Sequence, residues 1–141
     1  MGRYLAIDYG KKRTGIAVTD PLKIIANGLT TVETPTLYDF LKSYLEKEDV
    51  EKIIVGLPRQ TNGEFSENMK RIEPFVNRMR KNFSGIDIEY YDERFTSVLA
   101  HKAIIEGGVK KKERRENKGL VDQVSAAIIL NDYMNSIQRT L

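Results

Sequence analysis

The stretch that decides the fold is Arg3–Thr19, RYLAIDYGKKRTGIAVT. Residues 3–9 (RYLAIDY) form a nearly unbroken apolar run, which reads as a central strand buried on both faces. Gly10 follows, then a basic turn around Lys11–Arg13, and residues 14–19 (TGIAVT) read as a second strand. So short a connection makes the pair an antiparallel hairpin. Asp8 stands at the end of the first strand, an acid in an otherwise apolar segment. A carboxylate there is costly unless it is paired or holds a cation. Two readings therefore stand side by side: an ion pair with a nearby Lys or Arg, or a metal ligand.

Asp20-Pro21 closes the second strand, and residues 24–32 (IIANGLTTV) predict a third, weakened by Gly28. Thr34-Pro35 predicts a helix start, with Thr34 as N-cap and Pro35 at the first helical position. That helix runs to about Lys47, with Leu37, Phe40, Leu41, Tyr44 and Leu45 on one face. Residues 52–57 (KIIVGL) predict a fourth strand, ended by Gly56 and Pro58. Ser66 to Lys81 predicts a second helix with Met69, Ile72, Phe75, Val76 and Met79 inward, and Pro74 inside it at a position able to kink it. Residues 86–91 (IDIEYY) alternate as a fifth strand. Residues 96–106 predict a third helix closed by Gly107-Gly108, and a last helix covers Lys118 to about Ile137. The order β-β-β-α-β-α-β-α-α predicts an antiparallel meander followed by parallel crossovers. The expected fold is α/β, a five-stranded mixed sheet with helices on both faces, in one domain spanning 1–141.

A chain of 141 residues, 40% of them hydrophobic, can bury a core of that kind. Its net charge of +3 and pI near 9.0 suit an anionic partner without demanding one. There is no cysteine, which excludes a disulfide framework and a thiolate metal site. No apolar stretch approaches the roughly 20 residues needed to span a bilayer, and MGRYLAIDYG is not a signal peptide. The expectation is a cytoplasmic protein with no membrane partner.

Two further acids carry potential chemistry. Glu93 follows the fifth strand in Tyr91-Asp92-Glu93-Arg94, where it could equally be a surface ion pair with Arg94. Asp122 lies in GLVDQVSAAIIL with Ala126, Ile129 and Tyr133 at helical spacing, so it should face protein. An acid favouring the helix dipole would explain its place along the helix but not its apolar face. If the ends of the first and fifth strands converge where the last helix begins, three carboxylates meet. They repel one another unless metal neutralises them. Two divalent ions about 4 Å apart would there activate water and stabilise the leaving oxygen of a phosphodiester. Oxygen donors suit Mg2+ or Mn2+. His101, the only histidine, reads as a surface residue, which leaves metal-activated water as the nucleophile.

Lys12 and Arg13, on the hairpin beside Asp8, either hold phosphates or form a solvated turn. Arg59 follows Gly56-Leu57-Pro58 at a strand end, in a ligand-facing loop or a simple terminus. Arg94 either contacts substrate or orients Glu93. The run Lys110–Lys118 is a solvated loop or a basic flap lending salt-dependent affinity, and Lys118, four residues before Asp122, could face the same site. Tyr9, Tyr90 and Tyr91 could stack on bases or pack in the core.

At these residues the sequence resembles the YqgF-type family. The matching motifs are Asp8-Tyr9-Gly10-Lys11-Lys12-Arg13-Thr14-Gly15 with Ala17 and Asp20, then Val55-Gly56-Leu57-Pro58 with Gly63. Asp92-Glu93-Arg94-Phe95-Thr96 and Lys118, Asp122, Ala126-Ala127 and Ile129-Leu130 complete the set, which runs the length of the chain. Thr14 stands where Ile is common and Ser97 where Thr is common. The resemblance implies a ribonuclease H-like fold with an active site at Asp8, Glu93 and Asp122. Members are described both as Holliday junction resolvases and as the nuclease that finishes the 5′ end of pre-16S rRNA, so an rRNA precursor and branched DNA both remain as partners. Two symmetric cuts in a junction require a dimer, whereas end-trimming does not. The absence of an exposed apolar helix face in the sequence favours the RNA reading, with a monomer or weak homodimer.

Two other functions compete. An actin-like kinase or ATPase lobe shares the opening hairpin but needs a second lobe that 141 residues do not supply. A non-catalytic nucleic-acid-binding module would have no use for an anionic pocket.

Overall fold

A computed structural model of the chain describes residues 2–57, 69–92 and 118–140, with the backbone alone for 57, 118–122 and 138–140. Among these residues five strands form one sheet: β1 (Arg3–Asp8), β2 (Arg13–Thr19), β3 (Ala26–Glu33), β4 (Val50–Leu57) and β5 (Asp87–Asp92). Their order is β3-β2-β1-β4-β5. β1–β2 and β2–β3 are antiparallel, while β1–β4 and β4–β5 are parallel. The helices are α1 (Leu37–Lys47), α2 (Met69–Asn82) and α3 (Lys118–Thr140). The mixed sheet expected from the sequence is present. The helix expected over 96–106 and the basic segment 109–117 lie outside the described residues.

Strand alternation sorts the core into two layers. Leu5, Ile7, Ile16, Val18, Ile53 and Val55 face α1 and α2, packing with Leu37, Leu41, Ile72, Val76 and Met79. Ala6, Ala17 and Ile54 face the other way, against Ala126, Ile129, Leu130 and Tyr133 of α3. The sizes matter. Branched side chains fill the first layer, whereas alanines on β1, β2 and α3 let that helix lie close to the sheet. Gly28 on β3 tightens the approach further: a Cβ there would stand 3.0 Å from the Gln123 Cβ.

Three local expectations are corrected. The third strand starts at Ala26, not at 24. The Asp20 carboxylate accepts backbone N–H bonds from Leu22 (3.2 Å), Ile24 (2.8 Å) and Ile25 (2.8 Å), which bends residues 20–25 into a turn and leaves both isoleucines exposed. Those bonds, the one from Ile25 foremost, hold the Asp20 carboxyl below its usual range against the opposing effect of burial. Thr34 caps nothing, because residues 34–36 form a 3-10 turn that leads into α1. Its hydroxyl instead donates to the Gly10 carbonyl (2.6 Å) and pairs with the Thr14 hydroxyl (2.9 Å). α2 continues through Pro74, which gives up one backbone hydrogen bond on an exposed face. The tyrosines are packing residues: Tyr9 and Tyr90 join the α1/α2 layer, and Tyr91 stands edge-on to Tyr133.

A polar cluster ties α3 to β4 and β5. Tyr133 donates a short hydrogen bond to Glu89, and Lys52 Nζ donates to the Tyr133 hydroxyl at 2.8 Å while lying 3.2 Å from the Glu89 carboxylate. Burial, then the bond to Glu89, pushes the Tyr133 hydroxyl up to about 12. The bond from Tyr133 holds Glu89 below its ordinary value against burial, with help from Lys52. Burial pulls the Lys52 ammonium down, but its bonds to Tyr133 and Glu89 outweigh that and raise it. The signs fix a stability window. The Tyr133 contribution is complete below its unfolded value of 10.0 and is lost as pH rises through about 12. Lys52 acts in the same direction, and Glu89 contributes above 4.5 and is lost as pH falls through its lower folded value. Melting temperature should therefore hold between these limits and drop beyond pH 10. Tyr133→Phe should cost about 2 kcal/mol at pH 7 for the lost hydrogen bond to a charged group. Thermal melts across pH check this. An unchanged alkaline limb in the Phe variant would show that Tyr133 is not its source.

Candidate active site

Asp8 ends the central strand and is half-buried. It lies two residues beyond Ala6 and so shares the α3 face of the sheet. Its partner on β2 is Gly15. On β4, Ile7 pairs with Val55, so the next level brings Asp8 beside Gly56, which shares the face of Ile54. Both glycines are buried. The carboxylate thus stands between two positions that carry no side chain, in a notch on the α3 side at the carboxyl ends of the parallel strands.

β5 supplies the far wall. Gly56 pairs with Tyr91 and Leu57 with Asp92. Glu89 and Tyr91 face Tyr133 of α3, whereas Ile88 and Tyr90 belong to the opposite core. Asp92 therefore falls on the α1/α2 side, and continued alternation assigns position 93 to the notch side. β1 and β5 are two strand spacings apart, about 9–10 Å. Carboxylates reaching inward from both would leave a gap suited to cations coordinated at about 2.1 Å.

α3 runs antiparallel to β1, since Tyr133 meets Tyr4 near the start of β1 while Ala126 packs in the layer of Ala6. Position 122 is one turn before Ala126, a rise of about 6 Å. Asp8 lies two residues beyond Ala6, about 6–7 Å along its strand. The backbone thereby carries positions 8 and 122 toward one level. The acidic donor set and the open notch fit a divalent cation with oxygen ligands.

The remaining sequence candidates fall as follows. Lys12 and Arg13 are exposed at the hairpin turn directly after Asp8. Glu93, Arg59 and Arg94 lie outside the described residues, and Asp122 and Lys118 are placed in α3 by backbone alone. Among the described residues no three His, Cys, Asp or Glu side chains gather as a metal site.

Sequence reasoning missed the mount of the basic turn. The Thr34 hydroxyl on Gly10 is joined by the Thr34 N–H, which donates to the Lys12 carbonyl at 2.9 Å. A Cβ at Gly10 would stand 2.2 Å from the Arg13 carbonyl oxygen, so only glycine closes this turn. Thr14, 0% exposed, finds its hydroxyl partner in Thr34, which explains a polar residue in that core position. Two threonines twenty residues apart gave no signal of contact.

A β3-β2-β1-β4-β5 sheet with an acid ending its central strand, and α3 laid across the opposite face from α1 and α2, defines a ribonuclease H-like nuclease fold. The chain belongs to the RuvX family, described as Holliday junction resolvase, whose model matches residues 2–136. It is 63% identical over 136 residues to a Phocaeicola vulgatus protein named "Putative pre-16S rRNA nuclease", covering 96% of this chain and 97% of that one. Proteins of the same name from Bacteroides thetaiotaomicron (60% identity, 96% and 98% coverage) and Porphyromonas gingivalis (56%, 99% and 100%) are similar over the same span. Among the described residues no helix is long and apolar enough to cross a membrane.

Proposed function

We propose that this protein is a metal-dependent nuclease that matures the 5′ end of pre-16S rRNA in the cytoplasm, with Asp8, Glu93 and Asp122 as its metal ligands. The observation that carries the reading is the placement of Asp8 between Gly15 and Gly56 on the α3 face. A purely structural acid at the end of a buried strand has no need of two empty neighbours. An acid that must admit a phosphodiester and its cations does. Two Mg2+ or Mn2+ ions, when bound, would supply an activated water and neutralise charge on the leaving oxygen. The protein's own residues position and bind. The pinned turn presents Lys12 and Arg13 to phosphates beside Asp8, and Arg59, Arg94 and Lys118 extend that basic rim. The name shared by the relatives supports the RNA substrate, and the family description supports a resolvase as the second reading.

The test is cleavage by purified protein, in Mg2+ or Mn2+, of a 5′-extended small-subunit rRNA precursor and a four-way DNA junction. Cutting of the RNA is the expected result. Cutting of the junction alone would replace it with the resolvase reading. Binding of both without cutting would make the protein a non-catalytic module.

A further inference from the structure

The strongly exposed large apolar side chains among the described residues fall within eight positions: Leu22 (66% exposed), Ile24 (68%), Ile25 (58%) and Leu29 (37%). They occupy the β2–β3 turn and β3, the strand at one edge of the described sheet. Clustering of this kind marks an interaction surface. The turn is held ready for contact, since the Asp20 carboxylate fixes the N–H groups of Leu22, Ile24 and Ile25. Beside this ridge runs a groove of about 640 Å³ between β3 and α3, whose walls include Ile25, Val124, Ala127 and Ile128.

We infer that this edge is a self-association surface on which a second copy of the chain docks about a two-fold axis. Charge selects the occupant first. No Lys or Arg lines the groove, although the chain has 23 of them. A nucleic acid is gripped through phosphate by cations, so the basic turn near Asp8 suits it and this edge does not. Shape selects next. Ridge and groove adjoin in one copy, so a two-fold operation seats each copy's Leu22 and Ile24 against the other's groove, as a self-complementary patch requires. Area is consistent as well. The four side chains expose about 400 Å² per copy, about half of the ~800 Å² that a standard interface takes from each partner, and the groove walls supply more. β3 has no Lys, Arg or Pro to blunt its edge. Its pairing with β2 shifts register between Ile16↔Thr30 and Ala17↔Gly28, leaving Leu29 as a bulge. That bulge interrupts a continuous ladder across the edge, so side chains rather than strand addition make the contact.

The inference does not depend on which nucleic acid is cut, because its readout is mass. Sedimentation of the full chain from about 5 to 200 μM, a range that brackets micromolar dissociation, should show a species of twice 16.2 kDa growing with concentration. Ile24→Lys should sediment as the monomer throughout, with its melting temperature unchanged because the side chain is exposed. Leu22→Ser, a milder change on the same ridge, should weaken the dimer at least about tenfold, or 1.4 kcal/mol. A wild-type chain that stays monomeric across the range overturns the inference, as does a dimer that survives both substitutions. A monomeric wild type whose RNA binding falls with Ile24→Lys would give the edge to the substrate instead.

Discussion

Asp8→Asn should lower cleavage at least about a thousandfold, equivalent to about 4 kcal/mol of transition-state stabilisation, while the protein stays folded and still binds nucleic acid. The substitution is nearly isosteric, so the end of β1 keeps its shape and its pairing with Gly15. What is lost is one negative charge and a strong oxygen donor at the floor of the notch. Divalent cations are held by charge as much as by geometry, so a carboxamide leaves them under-neutralised. Binding of the substrate backbone should persist or tighten, because an anion facing phosphate has been removed. Stability should be equal or higher, since carboxylates brought together for metal repel one another in its absence. Asp92→Asn is the matched control. It removes the same charge close by in sequence, but alternation along β5 puts position 92 on the α1/α2 side. It should leave the rate within about threefold, well under one kcal/mol. Single-turnover rates, filter binding and thermal melts separate the outcomes. If Asp8→Asn cuts normally, Asp8 is not a metal ligand. If it instead unfolds and loses binding, the acid has a structural role.

The sequence carried the sheet order because burial on both faces leaves a plain mark. Leu5, Ala6 and Ile7 are all fully buried, and no polar residue interrupts them. The same run showed where Asp8 had to be, since an acid at the end of such a strand is conspicuous. What the sequence could not show was which neighbours lack side chains at that level. Gly15 and Gly56 are forty-one positions apart and meet across Asp8 only through the parallel pairing of β1 with β4. The turn at 20–25 was misread for a related reason. Ile24-Ile25 has the composition of a strand, and only the three N–H groups captured by Asp20 turn it outward. That misreading hid the exposed apolar edge and with it the expectation of a dimer surface, because the ridge lies on a turn and an edge strand rather than on a helix face. Thr34 was likewise read from local statistics as a cap, when its hydroxyl answers to a carbonyl twenty-four residues away.

Ala126→Leu should uncouple binding from cutting by lifting α3 off the sheet. Ala126 is fully buried between Ala6 and Ala17, themselves fully buried, and this alanine layer sets how near the helix lies. Three added carbons have no void to enter. The expected overpacking cost is about 1–3 kcal/mol, spread over a shift of the helix away from β1. Position 122 is one turn further along the same helix, so it moves with Ala126 relative to Asp8. Catalytic constellations tolerate such displacement poorly, and about 1 Å can cost a hundredfold in rate. The half-saturating Mg2+ concentration should rise together with that loss, since one donor no longer reaches the same cation as the other two. Binding of the RNA backbone should change little, because Lys12 and Arg13 sit on a turn anchored through Thr34 to the end of β3 and not through α3. Asn135→Leu adds comparable bulk to the exposed side of the helix and should leave rate and Mg2+ dependence alone. A variant at 126 that melts earlier yet cuts at the wild-type rate with unchanged Mg2+ dependence would mean that the distance between α3 and β1 does not govern the reaction. Asp122 would then have to be removed from the metal-binding set, leaving the notch at Asp8 to be completed from β5 alone.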